Sequence, residues 1–432
     1  MGQKTSARGT NDRVSFGSRA ATNVASLLLA SSAFFVAMPS ARADDTIKIC
    51  VIDDLSGDFA IYGRPKHLGP ELAVKEINAA GGVLGKKLEI VFYDGQSDVK
   101  RNQELAQKCV LDDKVNVMMA GTTSSEREAA RSVAVKNKVL YWHNNEGEGG
   151  IADHYSFFSG NVPEKKTLTS VKYMIEKFGK KVYLLAADYG YGQVSALWTK
   201  AAVGINGGKI VGTEFIPLGN SDFAATIGNI QKAKPDWIAA YLVGSAQFNY
   251  YPQSRAAGLK FPTLGPTHIA LSYEHKLYPP PTMTDVYVPI SFIEELPGDS
   301  AKKFVQDIRA LDPQLPYVSE MARDSYIAVN LVAKAWAIAG TTDTEKVISA
   351  LESGLSFDAP EGRVFLDPAT HHLSSEVRLI RVNESHGIDF VKDFGMLEPW
   401  WLRSLGVNLV RKNDAKQYLP WDDPRLAKYK DD

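Results

Sequence analysis

Short apolar runs alternate with segments of helical spacing along most of the chain. The runs are nearly continuous in Val, Ile, Leu and Ala, which is typical of strands buried on both faces of a parallel sheet covered by helices. Strand–helix alternation of this kind predicts an α/β fold. The predicted strands are Ile47–Ile52, Leu88–Tyr93, Val115–Ala120, Val139–Trp142, Val182–Ala187, Lys209–Pro217 and Trp237–Val243.

The spacing of these elements predicts two sheets rather than one. Four strands fall within residues 44–145, and a second set of units occupies about 165–285. Two extended segments, Ser156–Val162 and Val286–Phe292, are placed to cross between the sets, and helices follow at about 299–311 and 319–340. We expect two lobes joined by a hinge of a few strands, with a ligand cleft at the carboxyl ends of the strands.

The first 43 residues predict export. Basic residues in a polar leader precede an uncharged apolar run, and Ser40–Ala43 has small residues where a signal peptidase requires them. This is the layout of a signal peptide, residues 1–43, cleaved after Ala43. A membrane anchor is the alternative, which Pro39 within this region disfavours. We therefore expect a periplasmic protein with no direct membrane insertion after cleavage.

Charge and cysteine usage narrow the function classes further. The net charge is −1, and the leader carries five basic residues and one acid, so the rest of the chain is mildly acidic. Such a surface lacks the basic patch that binds nucleic acid. Cys50 lies in a predicted buried strand and Cys109 on a helix; they could pair after export, but we expect two buried thiols, because a chain of this size does not depend on a disulfide framework.

Two strand-to-helix turns carry candidate ligand contacts. Gly121–Ser125 precedes a predicted helix at Glu126–Lys136, and hydroxyls with free N–H groups at a helix start can receive a carboxylate or an amide oxygen. Plain N-capping is the alternative. Asp188–Gly192 places two tyrosines at a strand end, where their rings could face a cleft or pack in an ordinary turn.

The loop Tyr141–Gly147 is polar and aromatic and directly follows the fourth strand. Its Glu146 could accept a hydrogen bond from an ammonium or amide N–H. No nucleophile–base set, metal-binding motif or dinucleotide loop is present, and the adjacent His371 and His372 point apart on most backbones. We therefore expect no enzyme activity, no catalytic residue, no metal and no cofactor.

At this stage the chain resembles a known family. Ile49–Gly57 and the run Glu76–Gly85 resemble the opening of type I periplasmic binding proteins, the receptors of ABC importers for branched-chain amino acids, amides and urea. Glu146-Gly147, Pro217–Phe223 and Ala359–Gly362 are similar to the amide and urea branch. The resemblance covers nearly all of the chain after the leader.

The resemblance implies a small-molecule ligand held between two closing lobes. It implies one lobe of residues 44–162 plus about 290–358, and another of about 163–289 plus 359–432. By position, the family's ligand contacts match residues of the Ser/Thr turn, the loop after the fourth strand and the tyrosine turn: Thr123, Ser125, Tyr141, His143, Asn144, Tyr189 and Tyr191.

This sequence departs from the amide branch at His143–Asn145, where that branch has Thr-Pro and an aromatic residue, so a more polar pocket is implied.

The implied function is the substrate-binding component of an ABC transporter, which hands an amide, urea-like compound or amino acid to an inner-membrane ABC permease. A ligand sensor for a chemoreceptor or regulator is the alternative. A secreted hydrolase is disfavoured by the missing catalytic groups. The tail beyond about 393, with its paired tryptophans, is expected to pack over the second lobe or to dock a partner.

Overall fold

The computed structural model describes residues 46–267, 269–411 and 414–430, so the predicted signal peptide lies outside the described residues. The first part of the chain forms a five-stranded parallel sheet in the order β2-β1-β3-β4-β6. Its elements are β1 (Thr46–Asp53), α1 (Ala60–Ala79), β2 (Lys87–Asp94), α2 (Val99–Leu111), β3 (Val117–Ala120), α3 (Ser124–Lys136), β4 (Leu140–His143), β5 (Ile151–Asp153) and β6 (Ser156–Phe158).

The next part of the chain builds a second, larger sheet. Its elements are α4 (Pro163–Phe178), β7 (Lys181–Ala187), α5 (Gly190–Ile205), β8 (Lys209–Ile216), α6 (Ala224–Ala233), β9 (Trp237–Tyr241), α7 (Gly244–Ala256), β10 (Thr263–Leu264), α8 (Glu274–Leu277), β11 (Val286–Ile290) and α9 (Asp299–Leu311). They are followed by α10 (Glu320–Ala339), α11 (Thr344–Leu351), β12 (Ser356–Ala359), β13 (Gly362–Leu366), β14 (Leu373–Val382) and β15 (Ile388–Leu397).

The second sheet is mixed. Strands β8, β7, β9, β10 and β11 are parallel neighbours, and β14 then pairs antiparallel with β11, β13 and β15. The α/β prediction is confirmed, and each predicted strand overlaps an observed one. The antiparallel additions come from the more strand-like region that opens at Gly362.

Each sheet has its own core. On the first sheet, Ile49 and Val51 of β1 pack with Ile327 and Leu331 of α10, while the alternate residue Ile52 faces a separate cluster under α2 and α3. This alternation follows from the two-residue period of a strand and shows why β1 is apolar throughout. The two sheets define two lobes, and the exact lobe boundaries stay a prediction.

The chain passes between the lobes more than once. It leaves the first sheet after β6 and enters the second lobe at Pro163, the first residue of α4. It returns after α9, because α10 packs along α1. Strand β14 makes a third connection, since Leu373 at its start lies in the first core and Ile380 lies in the second. Three connections thus join the lobes, and β14 is the one that is a strand, whereas the expected crossing segment Val286–Phe292 contributes β11 to the second sheet.

The two cysteines form a disulfide, so the prediction of two buried thiols is wrong. Cys50 lies in β1 and Cys109 near the end of α2, with their Cα atoms 6.0 Å apart. The two side chains are fully buried in the cluster between the sheet and α2. Helix α2 therefore packs close enough to β1 for the disulfide to form, a distance that the sequence alone does not give.

The C-terminal segment, residues 398–411 and 414–430, forms a strap that contacts both lobes. Its Trp401 is buried against Trp198 of α5, and the ring centroids are 4.6 Å apart. Its short strand pairs with β5, close to the first sheet. The strap elements are α12 (Trp401–Ser404), β16 (Ala415–Gln417), the 3-10 turn Pro420–Asp422 and α13 (Pro424–Ala427). None of the helices in the described part of the chain is long and apolar enough to cross a bilayer.

Candidate functional site

A cavity lies between the two lobes, at the carboxyl ends of strands from both sheets. It encloses about 390 Å³ of atom-free space, part of it open to solvent. Polar turns of the first lobe form one wall, and aromatic and apolar side chains form the rest. The lining residues are Phe59, Tyr62, Thr122, Thr123, Ser124, Asn145, Glu146, Tyr189, Tyr191, Val243, Thr267, Leu271 and Met321.

The Ser/Thr turn of the first lobe is occupied by its own capping box. Thr123 is the N-cap of α3, and its hydroxyl accepts a hydrogen bond from the Glu126 N–H at 3.3 Å. The Glu126 carboxylate in turn accepts from the N–H groups of Thr122 and Thr123, at 3.1 and 2.7 Å. The backbone donors that would attract an anionic ligand are therefore already bound to a carboxylate of the protein.

The structure places Ser124, and not Ser125, at the cavity. Ser125 is exposed on the outer side of α3. The Ser124 hydroxyl donates to Glu148 at 2.7 Å, and Glu148 is paired with the buried Arg127 at 2.7 Å. This pairing outweighs burial, so the pKa of Glu148 falls to about 2. The buried ion pair between Glu148 and Arg127 therefore holds the Ser124 hydroxyl in place at the cavity wall.

The three residues expected from the loop after the fourth strand do not line the cavity. The Tyr141 hydroxyl donates to the backbone oxygen of Ala120 at 2.5 Å inside the first-lobe core. The Asn144 amide donates to Ser325 at 2.8 Å. His143 is buried, and burial together with the nearby positive charge of Arg127 holds the pKa of its imidazole well below the usual value.

The two residues that follow do line it. The Asn145 amide donates to the Thr122 backbone oxygen at 2.6 Å, which joins the two polar turns. Glu146 is paired with Lys166 of α4, in the second lobe, and accepts a hydrogen bond from the Tyr191 hydroxyl at 3.1 Å. Burial raises the pKa of Glu146 to about 7, against the opposing effect of Lys166.

The tyrosine turn lies where the sequence predicts it. Tyr189 is the N-cap of α5 and Tyr191 follows in its first turn, with ring centroids 6.2 Å apart. Tyr191 also lies 6.3 Å from the ring of Tyr241. Burial raises the pKa of both turn hydroxyls, so they are neutral and able to donate a hydrogen bond. Thr123, Tyr189 and Tyr191 are thus the predicted site residues that the structure brings together.

The mouth of the cavity is closed by a lip between the lobes, formed by residues 58–62 and 243–245. The Gly244 N–H donates to the Tyr62 hydroxyl at 3.3 Å, and the Ser245 hydroxyl lies 3.4 Å from Asp58. Sequence reasoning missed Phe59 and Tyr62, which stand at the start of α1 with no motif to mark them. Their aromatic character directly after the polar loop of residues 54–58 was the available signal.

Within the described ranges, no group of three or more His, Cys, Asp or Glu side chains is placed to hold a metal ion. The arrangement provides a neutral hydroxyl wall, one paired carboxylate and aromatic faces. It is suited to enclosing a small molecule rather than to transforming it.

Comparisons with known proteins give a consistent result. The sequence profile of a family described as periplasmic binding protein matches residues 46–387. The leucine-, isoleucine-, valine-, threonine- and alanine-binding protein of Pseudomonas aeruginosa is 27% identical over 336 residues, covering 75% of this chain and 87% of that protein. The Leu/Ile/Val-binding protein of Escherichia coli K12 is 26% identical over 57% of this chain and 68% of its own length.

Solved structures share the fold. A solute-binding protein of an ABC transporter from Rhodopseudomonas palustris BisB5, in complex with 3,4-dihydroxybenzoic acid, has a TM-score of 0.71 at 23% identity. The match covers 82% of this chain and 98% of that one. LivJ of Streptococcus pneumoniae, in complex with isoleucine, has a TM-score of 0.68 at 24% identity, covering 80% of this chain and 99% of that one.

Proposed function

The chain belongs to the periplasmic binding protein family, and we propose that this solute-binding protein captures a small uncharged amide or urea-like molecule for an ABC transporter. Its relatives are binding proteins and not enzymes. The proposal therefore concerns which solute it takes and how the cleft selects it. Location in the periplasm after cleavage at Ala43, and delivery to an inner-membrane permease, are parts of the same proposal.

One observation carries the choice of an uncharged ligand: the charged groups at the cavity are already paired within the protein. Glu146 is paired with Lys166, and the N–H groups of Thr122 and Thr123 are bound to Glu126. No Lys, Arg or His is among the cavity-lining residues of the described chain. A ligand with a net charge would be desolvated there without a partner, which is costly.

The remaining groups suit an amide. The carboxylate of Glu146 has lone pairs left to accept an amide N–H, and the hydroxyl hydrogens of Thr123 and Tyr189 are available to a carbonyl oxygen. The rings of Tyr189 and Tyr191 offer flat faces to a planar group, and Val243 and Leu271 offer an apolar wall to a short alkyl chain.

An aliphatic amino acid is the second candidate. It is favoured by the curated relatives, whose names give leucine, isoleucine and valine as ligands, and by Glu146, which could receive an α-ammonium group. Against it, the ligand's carboxylate would meet the turn at Thr122–Thr123 where Glu126 already takes the N–H groups. The amide therefore fits the lining better.

Closure explains how binding is reported to a transporter. In the described conformation the lip is closed, with Tyr62 of one lobe against Gly244 of the other. A ligand that contacts both walls stabilises this form over an open one, and the population shifts by that difference in affinity. The permease would then recognise the surface that exists only when the lobes are together.

The test is a thermal-shift screen followed by calorimetry on residues 44–432, with acetamide, propionamide, urea, L-leucine, L-isoleucine, L-valine and 4-hydroxybenzoate. A ligand at about 100 times its Kd stabilises the protein by about 2.7 kcal/mol, which raises Tm by degrees. We expect the response among the amides or urea. A response to the amino acids or to 4-hydroxybenzoate alone would contradict the proposed ligand class, and chemical conversion of a ligand would contradict a binding role.

Tyr189→Ala and Ser125→Ala form a matched pair for the same assay. Tyr189 provides a ring to the cavity, so its loss should weaken binding about tenfold or more. Ser125 lies on the outer side of α3, so its loss should leave the affinity unchanged. Equal effects of the two substitutions would place the ligand elsewhere.

A further inference from the structure

Helix α4 begins with two buried lysines, Lys165 and Lys166, in an environment that disfavours them. Both lie in its first turn, where the helix dipole is positive and cations are unfavourable. Lys166 has only 2% of its side chain exposed, and a buried ammonium is retained only where it has partners. The groups that surround the Lys166 ammonium therefore indicate its role.

The ammonium of Lys166 faces carboxylates, and one of them is the cavity's own. It pairs with Glu146 across the interface of the lobes, while Glu320 and Asp324 contribute negative charge from α10. Burial lowers the pKa of Lys166, but these carboxylates outweigh it and the net shift is upward. The ammonium therefore stays charged and neutralises Glu146.

Lys165 is equally buried but is directed elsewhere. Its amino group donates to the backbone oxygen of Leu373 at 2.9 Å and to the Ser375 hydroxyl at 2.6 Å, both on β14 at the hinge, and burial lowers the pKa of Lys165 to about 7. Two adjacent lysines of the same burial thus have different partners, and only Lys166 contacts a residue that lines the cavity.

We propose that Lys166 sets the charge selectivity of the binding cavity by neutralising Glu146, so that the site accepts an uncharged ligand and rejects its ammonium or amidinium counterpart. The proposal rests on the ligand class proposed above, but it makes a separate claim. Lys166 does not itself line the cavity; it acts through Glu146 and is a positioning residue.

The physical basis is the desolvated state of the pair. Glu146 holds Lys166 on one oxygen and the Tyr191 hydroxyl on the other. With the ammonium present, a second cation at Glu146 would meet a like charge at close range inside a closed cleft. Without it, burial would raise the pKa of Glu146 above about 7 and favour its neutral form, and a cationic ligand becomes the group that holds Glu146 as a carboxylate.

The experiment compares three small probes of the same shape and different charge: acetate, acetamide and acetamidinium. Affinities are measured by calorimetry at pH 7.5 for wild type and Lys166→Met. We expect Lys166→Met to raise the ratio of acetamidinium to acetamide affinity by about 30-fold or more, in line with the cost of leaving one partner of a buried pair unmatched. An unchanged ratio would overturn the proposal.

Lys165→Met is the matched control, because it makes the same substitution at a neighbouring buried lysine that does not contact Glu146. Its ratio should equal that of wild type, and an equal change in both variants would overturn the proposal. Glu146→Gln with Lys166 retained serves if Lys166→Met does not fold. The uncompensated ammonium should then shift preference towards acetate, and no shift would count against Lys166.

The two proposals fail separately. If wild type binds no amide, the proposed ligand class is wrong. A gain of acetamidinium binding in Lys166→Met would still support the role of Lys166, because it depends only on the unpaired carboxylate. If wild type binds acetamide and Lys166→Met binds acetamidinium no better, the ligand class stands and the role of Lys166 is wrong.

Discussion

The two lobes meet at a lip and at a strap, and these junctions differ in chemistry. The lip joins residues 58–62 to 243–245 through two polar contacts of 3.3 and 3.4 Å and through a buried cluster that includes Phe59, Tyr62 and Val243. The strap joins them through a buried apolar cluster in which Trp401 stacks edge-on against Trp198, and through the pairing of β16 with β5. A neutral hydrogen bond contributes about 1 kcal/mol, whereas a buried tryptophan contributes several.

The difference indicates where the cleft opens. Opening the lip exposes side chains at the edge of a cavity that already contacts solvent, while exposing the strap cluster would uncover the fully buried Trp198 and Trp401 and cost much of the stability of a domain. We therefore expect the lip to open for ligand exchange with the strap in place. The strap follows residue 387, where the family match ends, so it lies outside the matched segment.

The largest expected effect is on the strap. Trp401→Ala should lower the free energy of unfolding by about 3–5 kcal/mol, because it leaves a cavity beside Trp198. Urea denaturation followed by circular dichroism measures it. Trp400→Ala is the control: its side chain is 38% exposed, so the change should stay within about 0.5 kcal/mol. Similar losses at both positions would show that Trp401 is not the anchor.

A second prediction concerns Glu148, which links the strap to the cavity wall. Its carboxylate accepts from Arg127, Ser124 and Gln417 of β16. Glu148→Gln leaves Arg127 with the half-exposed Glu128 as its remaining ion-pair partner and should cost about 3 kcal/mol at pH 7. Urea denaturation of both proteins across a pH series measures it.

The pH dependence of that loss has a defined sign. The pKa of Glu148 is depressed to about 2 in the folded protein, below its value in the unfolded chain. The unfolded chain therefore binds the proton more tightly, and the stability due to Glu148 is present above about pH 4.5 and is lost as the pH falls towards 2. The gap between wild type and Glu148→Gln should shrink as the pH falls from about 4.5 towards 2. A constant gap would contradict the ion pair.

The smallest effect is expected at the lip. Tyr62→Phe removes the hydroxyl that accepts from Gly244, so the closed form should lose about 1 kcal/mol and ligand affinity should fall about fivefold. Unfolding free energy should change little, because the bond is made only on closure. Calorimetry with the best ligand of the screen measures the first quantity and urea denaturation the second. A loss of unfolding free energy with unchanged ligand affinity would show that the Tyr62 hydroxyl stabilises the fold and does not contribute to closure.

Sequence reasoning predicted the fold well because strands buried on both faces leave a clear pattern. The strand predicted at Val182–Ala187 is observed at Lys181–Ala187, and the helix predicted at Asp299–Leu311 begins and ends there. The disulfide was not predictable in the same way. Pairing of Cys50 with Cys109 depends on how closely α2 packs on β1, which the pattern along the chain does not contain.

The site was predicted less completely, and the misses have local causes. Helix α3 begins at Ser124, and successive helical residues point about 100° apart, so a shift of one position moves Ser125 to the outer side. Tyr141 lies on β4, where both faces are covered and its hydroxyl finds a backbone partner in the core. Phe59 and Met321 reach the cavity from distant segments, and only the folded structure brings them together.

The absence of a side chain at Gly244 allows the two lobes to approach closely at the lip. It has a φ of +56°, and a Cβ added there would lie 3.2 Å from the Phe59 ring of the opposite lobe. A Cβ at this position would be strained in its own backbone and would require the Phe59 ring to move by a few tenths of an ångström. Gly244→Ala would therefore make the closed form less favourable while it keeps the side chains that line the cavity. One methyl group would thus weaken lobe closure without removing a ligand contact.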